Sequence, residues 1–306
     1  MEKKQAVFAG TWYPGTAREC EIAIQQFLRE GKGKLQGDFI GGIVPHAGWH
    51  FSGSIAARVI ASLKPPEANV KGLEPDKPDT DKLDADKLAT IDTIFLFGAH
   101  MHPQSEPFIM TRGRIETPFG EMEVDGELVE KIAVTVDIQR RSPEKFPDEN
   151  TLELQYPFIK YFFPRAKIVV AGVPPSPIAA TIGAMAVAEA KSLGRRIRII
   201  GSTDMTHYGP DFGFTPAGLG EKAVEWVATE NDKNALAAME QMDTDKIIAQ
   251  GIDHKNMCCA GAAAAAIAAC KKKGAVKAIV LDYATSFERS RSDSFVGYAG
   301  LVYSRA

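Results

Sequence analysis

The residues able to do chemistry are few, and they recur at one kind of place. His46 follows the apolar run Phe39–Val44 within IVPHAGWHFSG, His100 and His102 follow Thr93–Phe97 within GAHMHP, and Asp204 with His207 follows Arg196–Ile200 within GSTDMTHYG. Cys258 opens the alanine-rich run CCAGAAAAAIAA. In an open α/β sheet reactive groups collect at the carboxyl ends of strands, so side chains far apart in the chain are expected to meet. Imidazole and thiolate are ligands chosen by copper, zinc and iron, whereas magnesium and calcium prefer oxygen. Two histidines and Cys258 with a carboxylate nearby can hold one such ion and leave a position open, which separates a catalytic site from a structural one. In that reading Asp204 orients an imidazole or a bound water, and His207 moves a proton near neutral pH. The metal-free alternative is a Cys258–His nucleophilic pair, which leaves the other strand-end histidines without a task. Taken singly, each residue has a plainer explanation: a satisfied loop histidine, a small buried thiol, an Asp that caps the next segment. The recurrence at successive strand ends carries the reading.

The elements that must position these residues can be read from periodicity and punctuation. Thr16 to Glu19 form a capping box that starts a helix through Ile22, Ile24 and Phe27 to about Arg29. A helix over Ser54–Leu63 is ended by Pro65 and Pro66, and another runs from Gly126 to about Ala133. ENTLELQYPFIKYFFP reads as a helix kinked or ended at Pro157, and an alanine-rich helix runs from about Ile178 to Lys191. Further helices are expected over Leu219–Thr229, Asn234–Met242 and Thr244–Ala249, and further strands over Lys167–Val173, Val276–Leu281 and Ser294–Val302. Cys258 and Cys259 then fall in the first turn of the last helix, where the dipole favours thiolate. The class is α/β: a single domain over residues 1–306 with a central, mostly parallel or mixed sheet flanked by helices. Residues 65–90, rich in Asp-Lys pairs, read as a charged surface insertion in it.

Composition removes several function classes. The 36 basic and 39 acidic residues nearly cancel, so no basic stripe argues for nucleic acid. No apolar run approaches the roughly 20 residues of a membrane-spanning helix. MEKKQAVFAGTWYP has no apolar core or small-residue cleavage site of a secretory signal, and the four cysteines show no CxxC pair. The expectation is a cytoplasmic protein with reduced thiols.

With AGTWYPG, PHAGWHFSG, FGAHMHP, ENTLELQYPF, GSTDMTHYG, CCAGAAAAAIAA and SFVGYAG in this order, the chain resembles the Memo family, whose bacterial and archaeal members are called AmmeMemoRadiSam system protein B. The resemblance implies a fold similar to class III extradiol dioxygenases, which are non-haem iron enzymes. It also implies one transition metal ion, iron or copper with zinc a third candidate, on two His and one Cys. By motif, His46 and Cys258 match two of these ligands, and Asp204 and His207 match the Asp and His beside the metal. For the second histidine, counting from Gly98 favours His102, and a one-residue shift gives His100. Cys259 stands where the family often has Gly, and Asn150 where many members have His ahead of Glu153. The expected function is redox or oxygen-dependent chemistry on a small-molecule or peptide ligand, as a non-haem oxidoreductase. The alternatives are a peptide-binding scaffold with a vestigial cleft lined by Trp12, Tyr13, Trp49 and Tyr208, or a zinc-dependent hydrolase. The family name implies a functional link to a radical SAM protein and an AMMECR-type protein; no nucleic-acid or membrane partner is expected.

Overall fold

Short runs of β-branched and aromatic residues, bounded by Gly and Pro, become the strands of the computed structural model, which describes residues 2–30, 37–66 and 90–306. In chain order they are β1 (Lys3–Lys4), β2 (Phe39–Val44), β3 (Thr93–Gly98), β4 (Phe108–Met110), β5 (Arg114–Ile115) and β6 (Met122–Glu123). There follow β7 (Gln139–Arg141), β8 (Lys167–Gly172), β9 (Ile197–Ser202), β10 (His207–Tyr208), β11 (Lys277–Thr285) and β12 (Phe295–Ser304). Strands β1, β5 and β6 form a small side sheet. The other nine form the main sheet, in the order β10-β12-β2-β9-β3-β8-β4-β7 with β11 paired to β12.

The centre of that sheet is parallel: β2 pairs with β9, β9 with β3, and β3 with β8. These strands are buried throughout apart from Lys167, as expected of parallel strands covered on both faces. Antiparallel pairing enters at the flanks, through β12 on β2 and β4 on β8. The fold is thus mixed α/β, one domain built on a mixed sheet with helices around it, as the pattern of the sequence implies.

Two neighbouring glycines show how the sheet is covered. A Cβ on Gly41 would lie 2.5 Å from Cys270 Sγ, and one on Gly42 would lie 2.5 Å from Val59 Cγ1. Successive residues of a strand face opposite sides. The helix Ala260–Lys272 therefore packs on one face of β2, and the helix Trp49–Ser62 on the other.

The first of these is buried from Ala260 through Cys270, which explains its alanines: larger side chains would hold its neighbours away. It packs against the helix Ile178–Ser192, where a Cβ on Gly183 would come within 2.0 Å of the Ala265 carbonyl oxygen.

Several boundaries differ from the sequence reading, each for a local reason. The helix expected from Ser54 begins at Trp49, because the Trp49 N–H is already held by the Trp12 carbonyl at 2.9 Å. The segment around Pro157 is two helices, Asn150–Glu153 and Tyr156–Phe162, with the proline in the first turn of the second. The expected gap before Asn234 is a π-turn, Val227–Asn231, joining the helices Glu221–Trp226 and Asp232–Glu240. Cys258 and Cys259 lie ahead of the first turn of the last helix rather than in it, since that helix starts at Ala260. The charged stretch read as an insertion, 65–90, lies outside the described residues from 67 to 89. No helix among the described residues is long and apolar enough to cross a membrane.

Candidate metal centre

Parallel register brings the strand ends together. Val44 pairs with Ser202 and Phe97 with Gly201, so the loops leaving β2, β9 and β3 emerge side by side. His46 is in the first, Asp204 in the second and His100 in the third. Cys258 reaches the same place from the far end of the chain. Its N–H donates to the Asp204 carbonyl at 3.2 Å, and the Asp204 N–H donates to Cys258 Sγ at 3.3 Å.

Each donor is fixed from behind. His46 is 1% exposed; its N–H donates to Asp204 Oδ1 at 2.7 Å, and its Nδ1 lies 3.1 Å from Ser202 Oγ. With Nδ1 engaged by the serine, Nε2 faces Cys258 Sγ at 3.2 Å. Asn150 Nδ2 donates to the His46 carbonyl at 3.3 Å, and Gln155 Nε2 to the Pro45 carbonyl at 2.9 Å. The segment from Asn150 to Gln155 thus clamps the backbone of the histidine loop, a role that side chain types alone did not reveal.

The second histidine of the group is His100. Its Nδ1 lies 3.4 Å from Glu149 Oε2, and its ring centroid stands 5.2 Å from that of His46. Donor atoms of His46, His100, Cys258 and Cys259 all lie within 4.8 Å of one another. His102, which counting from Gly98 favours, stands outside this group; both histidines are exposed, but the His102 Nδ1 is turned to its own loop, where it accepts the Gln104 N–H at 3.2 Å. The difference comes from Ala99, whose φ of 75° is left-handed, a conformation that costs a non-glycine residue about 1–2 kcal/mol. The Ala99 N–H donates to Thr151 Oγ1 at 2.8 Å, which holds the chain in that turn. His100 leaves the strand end in a direction that an extended chain would not give it.

Asp204 and His207 lie beside the donors. Asp204 Oδ2 is 3.9 Å from His46 Nε2 and 3.9 Å from His207 Nε2, and the latter nitrogen is buried without a hydrogen-bond partner. Sequence reasoning missed the residue that steadies this loop. Asp232, fully buried beside the π-turn, accepts the Thr206 N–H at 3.0 Å, the Thr206 hydroxyl, and the Tyr283 hydroxyl at 2.8 Å. Burial pushes its carboxyl up to about 6. An Asp in a polar helix carries no sequence signal of such a role.

The electrostatics of the group are those of a thiolate among imidazoles. Burial opposes the charge on Cys258, but the Cys259 thiol, His46, His100 and His207 together hold its pKa well below the ordinary 9.0. Cys259 is pushed the other way, by burial and by its charged neighbour, so it is the protonated member of the pair. The hydrogen bonds to Cys258 and Glu149 raise His100 to about 10. Burial lowers His46, yet Asp204 and Cys258 outweigh it and leave the imidazole above its ordinary value. His207 is raised against burial by Cys258 and Asp204, while burial raises Asp204.

The aromatics expected to line a cleft do not line one. Tyr13, Trp49 and Tyr208 are buried at 3%, 3% and 0%, and only Trp12 of the four is exposed. Trp49 stacks on Phe158 at 4.0 Å and donates Nε1–H to the Leu154 carbonyl at 3.1 Å. His50, also near the motif, lies on the surface against Phe51.

A mixed α/β fold with a His/Cys cluster that could bind a metal ion, set where parallel strands end, is the class of protein defined so far. The family model described as Memo-like protein matches residues 81–302, more than half of the chain, and the chain belongs to that family. It is 29% identical over 305 residues to a MEMO1 family protein of Thermococcus onnurineus, covering 96% of this chain and 97% of the relative. A MEMO1 family protein of Pyrococcus furiosus is 28% identical over 312 residues, and one of Methanosarcina mazei 28% identical over 310, each covering 99% of both chains.

Proposed function

We propose that this protein holds one transition metal ion, copper or iron, on His46, His100 and Cys258, and uses it for redox or oxygen-dependent chemistry on a small molecule or peptide. The convergence of the His46 Nε2 and Cys258 Sγ atoms at 3.2 Å, with His100 in the same group, carries this reading. The donor set fits such an ion: sulfur and imidazole nitrogen, one thiolate already favoured, and an imidazole whose other nitrogen is engaged by Ser202. Copper or iron bound there supplies one-electron chemistry and Lewis acidity. The chain supplies the rest. Asp204 anchors the His46 loop through its backbone N–H. His207, its Nε2 unpartnered and facing Asp204, can hold a proton beside the centre. A fold similar to the class III extradiol dioxygenases, and activity of that broad kind, belong to the same proposal.

The test is oxygen consumption with ascorbate as reductant, by protein loaded with copper or iron and by the Cys258→Ala variant treated in the same way. Uptake by the loaded wild type and its loss in the variant are expected. No uptake with either metal would contradict the proposal, and full occupancy by redox-silent zinc in protein isolated from cells would contradict it in favour of a zinc hydrolase.

A further inference from the structure

A second buried sulfur lies beside the three donors. Cys259 is 2% exposed, its N–H donates to Thr203 Oγ1 at 3.1 Å, and its carbonyl accepts the Ala263 N–H at 3.1 Å. Its backbone is thus accounted for by the start of the helix, and in the metal-free protein its thiol hydrogen-bonds to Cys258 Sγ. The other two buried cysteines behave as small structural thiols. Cys20 donates to the Pro14 carbonyl at 3.0 Å, and Cys270 packs against β2 where Gly41 leaves room for it. Cys259 instead turns its sulfur to the donor group, in a hydrogen bond 3.7 Å long with Cys258 Sγ.

We propose that Cys259 is a fourth protein ligand, so that the centre is a His₂Cys₂ site for a thiophilic ion of the copper(I) class. This rests on the reading of the cluster as a metal centre and narrows it. Two thiolates bound at about 2.3 Å to one tetrahedral ion lie about 3.7 Å apart, the separation found between the two sulfurs. A disulfide would need about 2.05 Å, so the pair stands as two free thiols. The donor atoms of His46 and His100 complete the set, all four within 4.8 Å of one another. Four protein donors make a closed site, and a second thiolate favours soft ions over iron held by oxygen and nitrogen. With Cys259 engaged, a substrate could reach the ion only by displacing a ligand.

The test is an anaerobic titration of the reduced full-length protein with cobalt(II), comparing wild type with Cys259→Ser, Cys259→Gly and Cys258→Ser. Wild type is expected to bind one ion with the intense visible bands of four-coordinate cobalt and a strong sulfur-to-metal charge-transfer band. In both Cys259 variants that charge-transfer band should fall to about half, one thiolate in place of two. Affinity measured against a chromogenic chelator should weaken by about tenfold or more. Copper(I)-loaded wild type, examined by X-ray absorption, should show two sulfur neighbours, a readout that does not depend on how the variants fold. One sulfur neighbour, or Cys259 variants with unchanged spectrum and affinity beside a Cys258→Ser variant that binds nothing, would overturn the fourth ligand and leave the three-donor centre standing. No uptake by wild type would overturn both.

Discussion

At the amino ends of the parallel strands, Thr93 Oγ1 donates to Asp125 Oδ2 at 2.7 Å, and Arg195 Nε reaches the same oxygen at 3.2 Å. Arg195 also meets Glu127 at 2.6 Å, Arg196 forks onto both oxygens of Asp92, and Lys167 meets Glu123 at 2.6 Å. At the carboxyl ends of the same strands, one thiolate faces three imidazoles, and a histidine nitrogen is buried with no partner. Both clusters are polar and both tie strand ends together. In the first, every cation named has a carboxylate and every carboxylate a donor, so nothing further is needed to satisfy it. In the second, one histidine nitrogen has no partner, and the sulfur and imidazole nitrogens that converge are held together by protons that a cation would displace. The contrast separates a structural ion-pair cluster from a binding site more surely than the types of residue present.

Removing Asp125 should give the largest effect on stability. Its side chain is 1% exposed, caps the helix Gly126–Thr135 through the Leu128 N–H, and pairs with Arg195. Asp125→Ala should therefore lower unfolding free energy by about 3 kcal/mol in a denaturant titration, and leave metal affinity unchanged. Cys258→Ala should do the reverse, abolishing binding and moving metal-free stability by less than about 1 kcal/mol. If the two variants lost stability equally, the distinction between the two ends would fail.

The protonation of the carboxyl-end cluster gives an intermediate effect. His100 is held at about 10 against its ordinary 6.5, so a metal ion must displace a proton to use that nitrogen at neutral pH. Affinity should then rise with pH, by about tenfold per unit for each proton displaced, and level off near pH 10. For the metal-free protein the sign is opposite. A raised folded-state pKa contributes stability that is complete below the unfolded value of 6.5 and is lost as pH rises through about 10. Melting of the metal-free and metal-loaded forms across this range should diverge with rising pH; parallel curves would mean that His100 is not a ligand.

The smallest effect is expected at His102. Its replacement by Ala should leave affinity and stability within about 0.5 kcal/mol of wild type, whereas His100→Ala should weaken binding by about tenfold or more. Equal losses by chelator competition would move His102 into the site.

This last pair also shows how far the sequence could be read. Strand ends were legible because apolar runs stop at Gly and Pro, and the parallel pairing of β2, β9 and β3 then brings His46, Asp204 and His100 to one place. What separates His100 from His102 is a left-handed alanine held by Thr151, a contact made across 52 residues that no local pattern encodes. The same holds for Asp232 and Glu149, whose roles arise from neighbours distant in the chain. The aromatics near the motifs misled for a related reason: amphipathic rings suit a cleft and a core equally, and packing around Phe158 decided for the core.

The most direct test is elemental analysis of protein purified without chelator or affinity-tag metal, alongside His46→Ala and Cys258→Ala. Close to one copper or iron ion per chain is expected in the wild type and none in either variant. A wild type that takes up no metal even after anaerobic loading, or variants that retain it in full, would contradict the central claim.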